Sequence, residues 1–165
     1  MSSSKLQVSL ATENDSKDIL LWRNDKTTLL YTPSSRKISQ KEHNLWFSKK
    51  LKSKNNDILI INKASLKVGM IRFDYYKDFN EISINLNPEF RGKNLSSLSI
   101  KTGIAFLDFL GQSKKPILAK IKSNNIASIK TFEKSGFKRI KSEKLLNIFA
   151  KDLEKGWLCY IFKQT

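Results

Sequence analysis

The stretch Glu81–Leu98, which reads EISINLNPEFRGKNLSSL, carries the pattern that decides the fold. Its first half alternates polar and apolar residues, with Ile82, Ile84 and Leu86 on one face, and this period of two is typical of a half-buried β-strand. Pro88 has no N–H to donate to a neighbouring strand, so the strand is predicted to end there. A short loop then leads into a mostly apolar run of helical length. The stretch therefore predicts a strand, a loop and a helix in succession.

The loop between this strand and this helix is basic, because it contains Arg91, Gly92 and Lys93. The first turn of a helix has unpaired backbone N–H groups and the positive end of the helix dipole, and here two cationic side chains lie beside it. Such a point attracts phosphate. A plain surface turn is the alternative interpretation, and the loop alone does not decide between the two.

A second informative stretch is Asn124–Phe137, which reads NNIASIKTFEKSGF. It predicts a helix over about residues 125–134, capped by Asn124 or Asn125 and stopped by Gly136. One short apolar strand separates it from the preceding helix.

Taken together, the two stretches resemble the coenzyme-binding segments of the GNAT superfamily of acyl-CoA N-acyltransferases. The first resembles Arg/Gln-x-x-Gly-x-Gly/Ala at a helix start, with Arg91, Asn94 and Ser96 at the corresponding positions, so both later Gly positions differ. Asn tolerates a positive φ better than other non-glycine residues and Ser is small, so the backbone can still approach a phosphate closely. The second resembles Asn-x-x-Ser/Ala followed by Tyr/Phe-x-x-x-Gly-Phe. The order of strands and helices fits the family over essentially the whole chain.

The resemblance implies acetyl-CoA as co-substrate, no metal, and a coenzyme site that draws on both stretches. The residues implied for this site are Leu86, Asn87, Arg91, Gly92, Lys93, Asn94, Leu95, Ser96, Ser97, Asn125 and Ser128. A helix cap with no ligand contact is the alternative role for Asn125.

The resemblance also implies transfer of an acetyl group to a primary amine by direct attack. An amine attacks only when it is unprotonated, so the site needs a base and donors for the developing oxyanion. Glu81 is the candidate base, directly or through water, because its strand leads to the loop and it lies off the apolar face; a structural ion pair is the alternative. A backbone N–H near Leu86 is the candidate oxyanion donor. Phe132 occupies the position where many family members have a Tyr that protonates the departing thiolate, and it has no proton to give.

The stretches 22–25 and 38–47 resemble the N-terminal half of a GNAT subgroup that includes the pseudaminic-acid-pathway amino-sugar N-acetyltransferases, which acetylate an amino group of a UDP-linked deoxy sugar. In that case, Arg23, His43 and Trp46 would line the acceptor pocket, and Tyr75 or Tyr76 from the following strand connection would close it. An arginine suits a diphosphate, and aromatic rings suit a uracil or sugar face. The same half resembles more loosely the ribosomal-protein N-terminal acetyltransferases, so a protein acceptor stays open. Core packing of the tryptophans is the alternative without a ligand.

Composition limits the remaining choices. A chain of 165 residues with 39% hydrophobic and 28% charged residues suits one domain over 1–165. Its longest apolar runs are short of a membrane span and its first residues lack a signal-peptide core, so we expect a cytoplasmic protein. Cys159 is the only cysteine and His43 the only histidine, which excludes an internal disulfide and soft-ligand metal sites.

The formal charge of +16 raises nucleic acid as a partner. The lysines are spread along the chain and form no basic stripe with interleaved aromatics, so a non-catalytic nucleic-acid-binding domain is the less favoured alternative. A basic surface would equally attract acetyl-CoA or a nucleotide-sugar. A monomer and a homodimer both remain open.

The whole pattern predicts the order β-α-α-β-β-β-α-β-α-β-β. This is an α+β (α/β) fold with a mixed, mostly antiparallel central sheet, a parallel pair in its middle, and flanking helices. Residues 26–38 are expected to form an irregular loop, and the stretches 137–143 and 157–162 the last two strands.

Overall fold

The computed structural model describes residues 5–112 and 114–163, which form a mixed β-sheet with helices packed on it. Within these residues the strands are β1 (Leu6–Leu10), β2 (Asn56–Lys63), β3 (Leu66–Tyr75), β4 (Asn80–Leu86), β5 (Ile117–Lys122), β6 (Lys138–Arg139) and β7 (Trp157–Phe162). The α-helices are α1 (Ser16–Arg23), α2 (Lys26–Tyr31), α3 (Gln40–Lys52), α4 (Leu95–Phe109), α5 (Ile126–Lys134) and α6 (Glu143–Phe149). The strand order is β1-β2-β3-β4-β5-β7-β6, and only β4 and β5 run parallel. The predicted fold class is confirmed.

Local signals in the sequence explain two of the helix starts. The Ser39 hydroxyl accepts the Glu42 N–H at 3.2 Å, and the Glu42 carboxylate accepts the Ser39 N–H at 2.7 Å, which is a complete capping box for α3. The Asn125 side chain accepts the Ser128 N–H at 3.1 Å and caps α5.

Three elements differ from the predicted order. Residues 26–38 contain helix α2, because the Asp25 carboxylate accepts the N–H groups of Thr27 and Thr28 and so starts a helix. The strand predicted over 137–143 is reduced to the two residues of β6, and α6 follows it.

The core lies on both faces of the sheet. Along β2, Leu59 and Ile61 belong to the cluster that packs beneath α4 and α5, whereas Ile58 and Ile60 belong to the cluster beneath α1 and α3. Alternate residues of a strand point to opposite faces, so β2 is apolar throughout because both of its faces are covered. In the described part of the chain, no helix combines the length and the apolar character needed to cross a membrane.

The parallel pair at the middle of the sheet is short. Strand β5 pairs with β4 at only two positions, Asn80 with Ile117 and Glu81 with Leu118. On its other edge, β5 pairs with β7 along its whole length. Strand β4 continues to Leu86 alongside β3 alone. The two strands therefore diverge after Glu81 and leave a gap in the sheet.

Gly69 of β3 allows a close approach to β4 at the end of that gap. A Cβ at this position would lie 2.7 Å from the Asn85 carbonyl oxygen and 2.9 Å from the Leu86 Cα. Both are backbone atoms, so Gly69→Ala should lower the free energy of unfolding by about 1–3 kcal/mol, the usual cost of overpacking. Urea unfolding measures this loss. Gly103→Ala is the matched control, because its added methyl meets the movable end of the Ile71 side chain at 2.8 Å, and an equal loss in both variants would contradict the explanation.

Candidate active site

A cleft of about 850 Å³ occupies the gap between the diverging strands β4 and β5. Its walls include residues from α1, α2 and α3 on one side and from the starts of α4 and α5 on the other. The predicted site residues that line it are Arg23, His43, Trp46, Glu81, Leu86, Arg91, Gly92, Ser96, Asn125 and Ser128. The structure therefore brings residues of both coenzyme-like stretches and three of the predicted acceptor residues to one cavity.

Other residues predicted for the coenzyme site lie beside the cleft and not in its wall. They are Asn87, Lys93, Asn94, Leu95 and Ser97. The Asn87 amide donates to the Lys67 carbonyl at 3.0 Å, and the buried Ser97 hydroxyl accepts the Ser135 hydroxyl at 3.0 Å. The Lys93 ammonium lies over the Phe90 ring, 5.0 Å from its centroid.

The prediction that Tyr75 and Tyr76 close the acceptor pocket is not supported, because neither residue lines the cleft. The Tyr75 hydroxyl donates to the Asp57 carboxylate of the neighbouring strand, and burial together with this bond raises the Tyr75 pKa. The Tyr76 ring stacks on Phe79 with 4.7 Å between centroids. Tyr75 is thus the last residue of β3 and Tyr76 follows it, and both lie outside the cleft wall.

The backbone of β4 offers free donors to the cleft. Leu86 lies opposite Gly69, and the Asn87 N–H bonds to the Val68 carbonyl at 2.9 Å, so Leu86 and Gly69 form a non-hydrogen-bonded pair of the antiparallel ladder. The N–H groups of Leu86 and Ile84 therefore point away from β3, toward the side that β5 has left. The sheet presents unpaired amides in the cleft wall.

The start of α4 has the backbone geometry that the first motif requires. Gly92 has φ +72° and Asn94 has φ +57°, both in the left-handed region. Asn94 thus adopts the conformation for which the family's motif has Gly, as its tolerance of positive φ allows. Asn94 precedes α4 without a side-chain cap, so the N–H groups of the first turn have no side-chain acceptor from that residue.

Glu81 lies at the point where β4 and β5 separate. One of its carboxylate oxygens forms a 2.9 Å ion pair with the Lys120 ammonium of β5, and the carboxylate is only 20% exposed. Burial acts to lower the Lys120 pKa, but the bond to Glu81 raises it above its usual value. Sequence reasoning missed Lys120, although the alternation of Lys120 and Lys122 along β5 was a signal that both point to one side of the sheet.

At the other end of the cleft, Arg23 is a cation without a carboxylate partner. Its guanidinium donates to the Ser34 hydroxyl at 3.1 Å and to the Arg36 carbonyl at 3.4 Å, and among the described residues no carboxylate lies within ion-pair distance. Burial and the nearby Arg36 lower the Arg23 pKa. A guanidinium in this setting favours an anion beside it.

The aromatic residues His43 and Trp46, which line the cleft together with Arg23, are held by contacts with neighbouring side chains. His43 is fully buried and stacks on Phe47 with 5.5 Å between centroids, and burial lowers the His43 pKa, which favours the neutral ring. Trp46 is half-buried, and the Arg72 guanidinium lies 5.8 Å from the centroid of its ring. Trp46 therefore presents part of an aromatic surface to the cleft, whereas His43 mainly supports the wall.

Comparison with known proteins identifies the family. Residues 5–138 match the family model described as Acetyltransferase (GNAT) domain. The chain belongs to the GNAT acetyltransferase family. The predicted family is confirmed, and with it the acetyltransferase class of this GNAT domain.

Two of the proteins similar to this chain come from Methanocaldococcus jannaschii. The uncharacterized protein MJ1062 of Methanocaldococcus jannaschii is 29% identical over 142 residues, which are 84% of this chain but 29% of that protein, so the chain spans less than a third of this relative. A domain from Methanocaldococcus jannaschii has a TM-score of 0.79 at 25% identity and covers 98% of this chain and 100% of its own.

Two further solved structures share the fold at lower identity. Spermidine N-acetyltransferase from Vibrio cholerae, in complex with CoA and spermine, has a TM-score of 0.76 at 14% identity, covering 96% of this chain and 94% of its own. The N-acetyltransferase PseH from Campylobacter jejuni has a TM-score of 0.67 at 12% identity, covering 97% and 99%.

Gly92 offers a test of the loop at the start of α4. Gly92→Ala and Gly111→Ala both place a side chain at a φ near +70°, where no other atom lies within 4 Å of the new Cβ. Both variants should lose about 1–2 kcal/mol of stability from backbone strain. Only Gly92 lines the cleft, so we expect a roughly tenfold larger Kd for acetyl-CoA, or about 1.4 kcal/mol, in that variant alone. Equal acetyl-CoA affinity in the two variants, measured by calorimetry, would argue against a coenzyme role for the loop.

Proposed function

We propose that this GNAT domain transfers the acetyl group of acetyl-CoA to the primary amine of an acceptor that carries phosphate, in particular a UDP-linked amino-deoxy sugar. The observation that carries the proposal is the asymmetry of the cleft. One part has open backbone amides and a helix start, and the other has cations without carboxylate partners together with partly exposed aromatic rings.

The residues around the helix starts fit coenzyme A. Free N–H groups of Ile84 and Leu86 can bond to an extended amide-bearing chain in the manner of an added β-strand. The first turn of α4, entered through two residues with positive φ, suits the diphosphate. Asn125 and Ser128 line the same cleft at the start of α5. We propose these groups as the coenzyme site.

Acetyl-CoA, when bound, supplies a thioester carbonyl that an amine can attack. Glu81 is the proposed base, which takes a proton from the acceptor ammonium directly or through a water, because it is the partly buried carboxylate where the strands separate. Its ion pair with Lys120 holds the carboxylate in place. The N–H of Leu86 is the proposed donor to the developing oxyanion.

Protonation of the leaving thiolate is not assigned to Phe132. Its ring is buried and makes an edge contact with Phe137, 5.0 Å between centroids, so it belongs to the core. A thiol is acidic enough, with a pKa of about 8.5, to leave without a dedicated acid and to take its proton from water.

Charge at the acceptor end favours an anionic acceptor over a polyamine. Arg23 has no carboxylate partner in residues 5–112 and 114–163, and the Lys122 ammonium is held by neutral oxygens of Leu30, Thr32 and Ser35. Of the carboxylates in the cleft wall, Glu42 is paired with Arg36 and Glu81 with Lys120, and those of Asp152 and Glu154 are exposed to solvent.

Aromatic surface completes the argument for a nucleotide. Tyr31, Trp46 and Trp157 line the cleft, and none of the three is fully buried. Rings of this kind pack against a uracil or a sugar face, while the arginine binds phosphate through two parallel N–H groups.

The experiment is a thiol-release assay with acetyl-CoA and three acceptors. Free coenzyme A should be released from acetyl-CoA when a UDP-linked 4-amino-4-deoxy sugar is the acceptor. Spermine and a peptide with a free N-terminus should give no release. Turnover with the peptide alone would favour a protein N-terminal acetyltransferase, and turnover with spermine alone would contradict the charge argument.

A further inference from the structure

Helix α2 spans the cleft without being part of the core. It has six residues, none of them buried, and Thr27, Thr28 and Tyr31 line the cavity. Isolated helices of this length are not stable in water, and α2 takes little stability from packing. Polar contacts at its two ends must hold it in place.

The first contact comes from the loop before α4. Arg91 forms an ion pair with Asp25, the residue that caps α2, with 2.5 Å between Nη1 and Oδ2. Its other terminal nitrogen donates to the Thr28 hydroxyl at 2.8 Å, and that hydroxyl donates to the Asn85 side chain of β4 at 3.2 Å. Burial acts to raise the Asp25 pKa, but Arg91 holds it below its usual value. The start of α2 is thus tied to the β4 side of the cleft.

The second contact comes from β5. The Lys122 ammonium donates to the Leu30 carbonyl at 3.2 Å, the Thr32 carbonyl at 3.0 Å and the Ser35 hydroxyl at 3.3 Å. These three bonds use all three protons of the ammonium. The end of α2 is thus tied to the opposite side of the cleft.

We propose that Arg91 and Lys122 are positioning residues, which hold α2 across the cleft as a wall of the acceptor site. In this proposal the Arg91 side chain shapes the acceptor site and does not bind the coenzyme diphosphate. The backbone of the loop that contains Arg91 binds the diphosphate instead. Both terminal nitrogens of Arg91 are already engaged by α2, and moving the guanidinium to a phosphate would leave the half-buried Asp25 without its partner. Only the kinetic part of the test below depends on the proposed function.

The test uses three variants: Arg91→Ala, Asp25→Asn, and the double variant that combines these two substitutions. Lys101→Ala is the control. Asn caps a helix as well as Asp does, so Asp25→Asn removes the ion pair and keeps the cap. Lys101 is exposed on α4 and outside the cleft, so its loss controls for the removal of one positive charge.

Hydrogen exchange of residues 26–31 and calorimetry with coenzyme A need no acceptor. Amide exchange in α2 should accelerate about tenfold in Arg91→Ala and in Asp25→Asn, and no further in the double variant. The Kd for coenzyme A should stay within about twofold of the wild type in all of them. An unchanged amide exchange rate in α2 would overturn the proposal. A tenfold increase in the Kd for coenzyme A in Arg91→Ala, without such an increase in Asp25→Asn, would also overturn it.

The kinetic arm uses the UDP-linked 4-amino-4-deoxy sugar as the probe. In each variant except Lys101→Ala, the KM for this sugar should be about tenfold higher than in the wild type, and kcat should change less. A fall in kcat alone would contradict a positioning role. If this sugar is not a substrate at all, the proposed function fails, while exchange and calorimetry still decide the role of Arg91.

Discussion

Glu81→Gln is expected to lower kcat by about 10²–10⁴-fold, the usual contribution of a general base, and to leave acetyl-CoA affinity unchanged. The amide keeps the shape of the carboxylate but cannot take a proton from the acceptor ammonium. Because Glu81 lies where β4 and β5 separate, in the cleft wall, no other partly buried carboxylate among the described residues can replace it there.

Glu154→Gln is the control for this substitution. Glu154 also lines the cleft but is exposed. Its variant should keep nearly the full rate. Steady-state rates and calorimetry on both variants separate the two roles, and a normal kcat in Glu81→Gln would limit Glu81 to its ion pair with Lys120.

Arg23→Met should raise the KM of a phosphate-bearing acceptor about 10- to 100-fold, because a bond to a charged group contributes about 1.5–3 kcal/mol. Among the described residues the guanidinium bonds only to a neutral hydroxyl and a neutral carbonyl, so, unlike Arg91, it can turn to an anion without leaving a carboxylate unpaired. Methionine preserves much of the side-chain length and removes the charge. Arg23→Lys should give an intermediate KM, since lysine keeps the charge without the planar fork.

Arg139→Met controls for the loss of an arginine. Arg139 is exposed on the short strand β6 and does not line the cleft. It should leave KM unchanged at fixed salt. An equal KM for wild type and Arg23→Met would remove the main argument for an anionic acceptor and leave the acceptor class open again.

The parts of the site that sequence could predict depend on local signals. The strand and helix around residues 81–98 follow from polar and apolar alternation, and the caps at Ser39 and Asn125 follow from residues within a few positions of each other. The left-handed Asn94 also follows from local chemistry, because Asn is the residue that best replaces Gly there.

The parts that sequence could not predict depend on distant contacts. Helix α2 has no buried residue, and its anchors Arg91 and Lys122 lie more than 60 residues away along the chain. The partner of Glu81 is Lys120 on another strand, which only the parallel register brings near. Tyr75 was named for the acceptor pocket from the family resemblance, whereas the register of β2 and β3 brings its hydroxyl to Asp57.

The most direct test of the account is calorimetric titration of acetyl-CoA into the wild-type protein. The account predicts saturable one-to-one binding that weakens in Gly92→Ala and is unchanged in Gly111→Ala. Absence of saturable heat with acetyl-CoA, from a protein shown to be folded, would contradict the claim that the gap between β4 and β5 is a coenzyme site.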